Sequence, residues 1–330
     1  MNQGKYVFSQ LVEFLPKRVF DWIVMKYQGD KYIKSFSCWN QLLIMMYGQL
    51  SGCESLRELV CIITAHTPKS YHLGFGKSVI TRSNLSKANA NRDCKIFEEF
   101  AYKMISIAQG KRITREFEID GRFYAIDSTT IDLCMSVFRW AKFRSTKSGI
   151  KIHTQIDIAT EIPVFYRISH ANVHDTKSMD WFMYERNACY VFDRGYFDLS
   201  RLYAVEQAGA FFIIREKFHP DYEIMEGEDM LDGNDNVLRD QTVRFTGKRN
   251  SENYPIPLRR IVFYAPDLGR TFTYYTNNFY LKAIEIALLY RYRWQVELFF
   301  YVEYIVMQSD TKRLSAYQLI TIHTLQYHFA

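Results

Sequence analysis

The chain has 330 residues, 48% hydrophobic and 24% charged, with 42 Lys and Arg against 36 Asp and Glu for a formal charge of +6. That length suits one large or two moderate domains with cores of their own, and that composition excludes a disordered, fibrous or collagen-like chain. The apolar runs fall far short of the roughly 18 uninterrupted apolar residues of a membrane-spanning helix, and the start MNQGKYVFSQLVEFLPKR lacks the basic, apolar and cleavage segments of a signal peptide. A cytoplasmic protein with no membrane partner is expected.

Residues 7–65 carry apolar side chains at helix spacing, as in Leu11, Leu15, Val19, Trp22 and Ile23, and this stretch is expected to be all helix. Ser55-Leu-Arg-Glu58 has the spacing of a capping box. From Ile80 to Met104 the pattern reads as two helices split by the polar stretch SKANANRD. Such a pair is either a helix-turn-helix that presents Arg82, Lys87 and Arg92 to DNA or a plain helical hairpin, and the residues alone favour the hairpin. The six cysteines, Cys38, Cys53, Cys61, Cys94, Cys134 and Cys189, form no CxxC pair, so they read as small buried hydrophobes.

Near residues 110–120 the pattern changes to short runs rich in β-branched and aromatic residues. Strands are expected at Phe123–Leu133, Ile150–Ala159, Ile162–Ala171, Cys189–Asp193 and Ala210–Glu216, with helices at Thr176–Arg186 and Ser200–Gln207. Three strands followed by strand, helix and strand give a mixed α/β sheet with helices on its faces. Residues 217–256 lose apolar density and read as an insertion rather than core; strand signals return at Leu258–Tyr264 and Arg270–Thr276, and Leu281–Gln308 is one long helical pattern. Basic residues cluster at Lys142, Arg144, Lys147 and Lys151 and again at Arg244, Lys248, Arg249, Arg259 and Arg260, which fits either a polyanionic partner or a solvated surface.

Three carboxylates stand out. Asp127 ends the run FYAID, Asp193 ends CYVFD, and Glu297 lies in the last helical pattern. Open α/β sheets form clefts at the carboxyl ends of strands, and carboxylates converging there suit Mg²⁺, which takes one or two carboxylates plus water and phosphate oxygens. Two such ions about 4 Å apart can activate a water or 3′-hydroxyl and stabilise the leaving oxygen of a phosphoryl displacement. Tyr290, Arg293 and Glu297 are offset by three and seven residues and so share one helix face. A phenol and a cation there could hold the phosphate beside the scissile bond.

The ordered set DSTTIDL, KIHTQIDI, HDT, DRGYFD, YYTNNF and Y-x2-R-x3-E from Tyr290 resembles the DDE transposases of bacterial insertion sequences, in particular the group named after insertion sequence four with its Y-R-E-K signature. The resemblance implies a ribonuclease-H-like catalytic domain over residues 116–330 with a β-rich insertion at about 217–270, preceded by a helical DNA-binding domain over residues 1–115. It implies Asp127, Asp193 and Glu297 as the metal-binding catalytic residues, two Mg²⁺ ions with Mn²⁺ as a substitute, and Tyr290 and Arg293 on DNA phosphates. The partners would be the element's terminal inverted repeats and target DNA, bound by a homodimer at the bacterial nucleoid. The fourth letter departs from the signature, since Tyr304 stands where lysine is expected, and beyond Phe300 the tail no longer resembles the family. A frameshift or premature stop in a decaying copy accounts for both, which makes a weak enzyme, a DNA-binding remnant or a repressor of transposition the alternative expectation. A hydrolytic nuclease on the same fold is the third.

Overall fold

The computed structural model describes residues 6–53, 55–67, 71–75, 79–110, 119–133, 142–144, 147–217, 220–229 and 236–294. They fall into two compact units, one holding the described residues up to Gly110 and the other those from 119 to 294. Among them no helix is long and apolar enough to cross a membrane.

The first unit is built from α1 (Val7–Glu13), α2 (Lys17–Lys26), α3 (Cys38–Leu50), α4 (Leu56–Ala65), α5 (Arg82–Asn91) and α6 (Lys95–Gly110). Short side chains start three of them: Ser37, Ser55 and Thr81 each accept the backbone N–H three residues on, at Asn40, Glu58 and Asn84. Each bond satisfies one N–H that the first helical turn would leave orphaned. The core joins Phe20 and Ile23 of α2 to Leu42, Leu43 and Met46 of α3 and to Phe97, Phe100 and Met104 of α6. Phe20 meets Phe100 edge to face at 4.9 Å.

Two expectations change here. SKANAN is helix rather than turn, because Thr81 caps it and Leu85 and Ala88 bury one face of it, so the break falls at Arg92-Asp93-Cys94. Arg92 does not face outward. Its side chain is 6% exposed and lies 3.5 Å from Asp30, and its guanidinium donates to the carbonyls of Phe36 and Ser37 and to Gln41 Oε1. This arginine ties the α5–α6 junction to the start of α3, in place of the phosphate contact expected of it. Arg92→Ala should therefore lower the stability of the chain by about 2 kcal/mol, read from urea denaturation, because it strands buried carbonyls whose charged donor has gone. No change would assign the cluster no structural weight.

The second unit is a ten-stranded mixed sheet. Its strands are β1 (Arg122–Leu133), β2 (Lys142–Arg144), β3 (Lys147–Asp157), β4 (Pro163–His170), β5 (Ala188–Phe192), β6 (Phe211–Arg215), β7 (Tyr222–Asp229), β8 (Val237–Phe245), β9 (Leu258–Ala265) and β10 (Arg270–Thr276). Their order is β2-β3-β1-β5-β6-β10-β9-β8-β7, with β4 also on β3. β1, β5 and β6 run parallel, and the other pairs are antiparallel. All five residues of β5 are buried, as parallel strands covered on both faces require. Tyr190 and Phe192 pack with Leu202 and Val205 of α8 (Leu199–Gln207) in the main core.

The region expected as an insertion outside the core proves continuous with it. β7 and β8 extend the same sheet, and Val243, Phe245, Tyr254 and Leu258 join the main cluster. Low apolar density misled because β8 buries residues only on alternate or occasional positions, with Leu238 and Arg239 turned to solvent. The helix expected at Thr176–Arg186 shrinks to α7 (Asp175–Ser178) and a single 3-10 turn, Met179–Trp181. There Tyr184 Oη donates to Met179 O, closing the chain back on itself before another turn can form. Of the cysteines, Cys38, Cys53 and Cys189 are buried, whereas Cys61 is exposed and Cys94 intermediate; Cys134 lies outside the described residues.

Candidate active site

The parallel pairing of β1 and β5 builds the site. Their rungs run from Arg122 opposite Ala188 to Ile126 opposite Phe192, so the next position on each chain is Asp127 and Asp193. Adjacent strands lie about 4.8 Å apart. The two aspartates thus leave neighbouring strands at one level, and β5 ends there while β1 continues against β3. Diverging chains at the carboxyl end of a sheet open a cleft.

Each carboxylate has a partner from α10 (Ala283–Tyr292) or the residue after it. Arg293 Nη1 donates to Asp127 Oδ2 at 2.8 Å, with the two side chains 6% and 17% exposed. The other oxygen, Asp127 Oδ1, accepts Ser128 N at 2.8 Å. Tyr290 Oη donates to Asp193 Oδ1 at 3.3 Å. Burial pushes the Tyr290 phenol up to about 12, against the lowering effect of Arg293 and with Asp193 raising it further. Tyr290 is therefore a donor at any physiological pH. Its ring lies 4.7 Å from Tyr274 and 5.7 Å from the Arg293 guanidinium. The sequence places Tyr290 and Arg293 beside the acidic residues, and the fold brings both into direct contact with them, facing inward. Glu297 and Tyr304 lie outside the described residues. Arg82 and Lys87 are exposed on α5, in the other unit.

A second layer of contacts escaped the sequence reading. Asp175, at the start of α7, accepts Ser128 Oγ at 2.6 Å and Lys151 Nζ at 2.9 Å on the same oxygen. Lys151 also donates to Val173 O at 3.0 Å. The other oxygen of Asp175 faces Gly195: a methyl built there would sit 3.6 Å from Asp175 Oδ2 and 3.9 Å from Asp193 Oδ2. The HDT motif was visible, yet nothing in its spacing says that Asp175 would reach the strand ends. Strand register brings Ser128 and Lys151 close, and only a tertiary contact adds the loop before α7.

Beside this layer His153 is fully buried opposite Ser128, its Nε2 3.0 Å from Ser169 Oγ and its ring edge-on to Trp181. Burial pushes its pKa down from 6.5 to about 4, while Asp175 raises it and Lys151 and Arg167 lower it. Between those values the unfolded chain binds a proton that the native chain refuses. Stability is thus complete above about pH 6.5 and falls as pH drops toward 4. Urea denaturation at pH 7.5 and 4.5 should show the wild type losing on the order of 2–3 kcal/mol more than His153→Gln. Equal losses would remove His153 as the cause.

Among the described residues no group of three or more His, Cys, Asp and Glu side chains is arranged to hold a metal ion. The described donors are two aspartates on adjacent strands, Asp127 within β1 and Asp193 just past the end of β5. Their hard oxygens suit a dication such as Mg²⁺, which keeps waters and needs few protein ligands.

Fold and site together define a class: a mixed α/β protein presenting an aspartate pair at the carboxyl edge of its parallel strands. Known proteins narrow this to a family. Residues 118–325 match the family described as the transposase DDE domain, and the chain belongs to it. Residues 3–76 match a domain of unknown function, DUF4372. The sequence named as transposase y4zB in Sinorhizobium fredii is 34% identical over 66% of this chain and 60% of its own length. That named as transposase for insertion sequence element IS5377 in Geobacillus stearothermophilus is 24% identical over 77% of this chain and 69% of its own. A third, named for insertion sequence element IS4SA in Synechocystis, is 25% identical over 71% and 64%. The chain thus spans less than two thirds of the length of the first and third of these relatives. Among solved structures, the piggyBac transposase synaptic complex with hairpin DNA aligns over 97% of this chain and 73% of its own, at 10% identity and a TM-score of 0.48.

Proposed function

We propose that this chain is a transposase of the insertion-sequence-four group that binds the terminal inverted repeats of its element, cuts them and joins them to target DNA with a divalent metal. The observation that carries the reading is the Asp127–Asp193 pair, at the same level on adjacent parallel strands within a domain of the transposase DDE family. The ribonuclease-H-like reading of the sheet draws its support from the same place, a mixed sheet whose first strand runs parallel to the strand that delivers the second aspartate.

Asp127 and Asp193 would hold Mg²⁺ or Mn²⁺, with Glu297 as the third carboxylate. A metal held there would supply the lowered pKa of the attacking water or hydroxyl and the positive charge that the leaving oxygen needs. The chain's own residues orient this pair. Ser128 N–H fixes one oxygen of Asp127, Arg293 compensates the other, and the protonated Tyr290 holds Asp193. A homodimer on paired DNA ends is the assembly this reading takes from the resemblance.

The decisive assay is cleavage and joining of labelled DNA carrying the element's inverted repeats, with Mg²⁺ and with EDTA. Nicked and strand-transferred products only with metal are expected. Hydrolysis without joining would replace the reading by a nuclease, and binding without cutting by a remnant. For the helical unit, Arg82 and Lys87 are the exposed cations of α5 proposed to meet phosphates. Each phosphate contact releases counterions, so Arg82→Ala/Lys87→Ala should reduce the salt slope of end binding by about 2. An unchanged slope would move the interface elsewhere.

A further inference from the structure

We propose that Asp175 is a positioning residue for the aspartate pair, and that it neutralises the charge of Lys151 on the strand beside that pair. The inference rests on the metal reading above and extends it to two residues outside the acidic signature.

The geometry comes from three elements. Asp175 Oδ1 takes both Ser128 Oγ, the residue after Asp127, and Lys151 Nζ from β3. A Cβ built on Gly195 would sit 3.6 Å from Asp175 Oδ2 and 3.9 Å from Asp193 Oδ2, so the two carboxylates border the same space beside that glycine. Lys151 is a little-exposed ammonium, 12% accessible, that donates to Asp175 and to Val173 O. Through Ser128 the Asp175 carboxylate holds β1 at the residue after Asp127, and with Asp193 it borders the space at Gly195, just past β5. It thereby links the two places in the sheet that must stay level for one ion to meet both aspartates.

The charge arrangement gives Asp175 a second task. A partly buried ammonium is costly without a carboxylate. Deprived of Asp175, Lys151 would keep an uncompensated positive charge on the strand beside Asp127, and that charge would oppose a dication at the pair. Groups that hold a metal-binding carboxylate in place typically change metal affinity by ten- to a hundredfold when removed.

The test is titration of the intact chain with Mn²⁺ in the absence of DNA, following free Mn²⁺ by electron paramagnetic resonance, with thermal unfolding in parallel. Wild type should bind Mn²⁺ and Asp193→Asn should lose it, which establishes the site. Asp175→Ala should then bind at least about tenfold more weakly, and Asp175→Ala/Lys151→Met should recover most of that loss. A residue that merely capped α7 would not be rescued by removing a lysine on β3. Should Asp175→Ala not fold, Asp175→Asn, which keeps a Ser128 partner and removes only the charge, carries the same comparison with and without Lys151→Met. Unchanged affinity in the Asp175 variants, or no recovery on removing Lys151, would overturn the positioning role while leaving the metal site standing. Wild type that binds no Mn²⁺, or Asp193→Asn that binds as well as wild type, would overturn both.

Discussion

Asp193→Asn should fold normally and fall at least about a thousandfold in metal-dependent DNA cleavage, an effect of roughly 4 kcal/mol on the barrier. The fold survives because an asparagine oxygen can still accept the Tyr290 hydroxyl that now reaches Asp193 Oδ1. The chemistry does not survive, because the amide is a poor ligand for a hard dication and supplies no negative charge. Single-turnover cleavage of inverted-repeat DNA, with the thermal midpoint as control, reads both sides. Cleavage within tenfold of wild type would remove Asp193 from the catalytic set. Asp127→Asn should be equally inactive but less stable, since it also deprives Arg293 of its counter-ion.

That dependence leads to the second large effect. Arg293 and Asp127 form an ion pair 2.8 Å long with side chains 6% and 17% exposed. Breaking such a pair from one side leaves a charge desolvated and uncompensated, at a cost of about 3–5 kcal/mol. Arg293→Met should therefore unfold at markedly lower urea, whereas Arg293→Met/Asp127→Asn should regain more than half of the loss, because the stranded charge is gone. Loss below 1 kcal/mol in the single variant, or no recovery in the double, would show that the pair is not a structural element. The inward-facing geometry also separates Arg293 from an ordinary phosphate contact: its removal should act on stability before it acts on DNA affinity.

Much of this arrangement could be read from the linear chain. Alternating and continuous apolar runs marked β1, β3, β4, β5 and β6 to within a few residues, since burial on one or both sheet faces leaves a period-two or unbroken signature. The serine of the Ser55–Glu58 spacing marked the start of α4 by the same local logic. The aspartates announced themselves by closing two apolar runs, and Tyr290 and Arg293 by their helix spacing.

Other features depend on pairing between distant segments. β7 and β8 carry polar outward faces and so read as an insertion, yet strand pairing across β9 and β10 makes them part of the same sheet. Arg92 looked like an exposed cation in a polar stretch, and only the approach of Phe36, Ser37 and Gln41 converts it into a buried donor.

What the sequence determined by itself, then, is the kind of elements and the two acids that close apolar runs, because both follow from local periodicity and from the residue at which an apolar run stops. The tertiary structure alone decided that the acids stand level, that Arg293 and Tyr290 turn onto them, and that Asp175 and Lys151 join them. Parallel register between β1 and β5, separated by three other strands in the chain, sets that level. Contacts between residues as far apart as Asp127 and Arg293 leave no periodic trace, since each depends on how the whole sheet closes rather than on any neighbour in the chain.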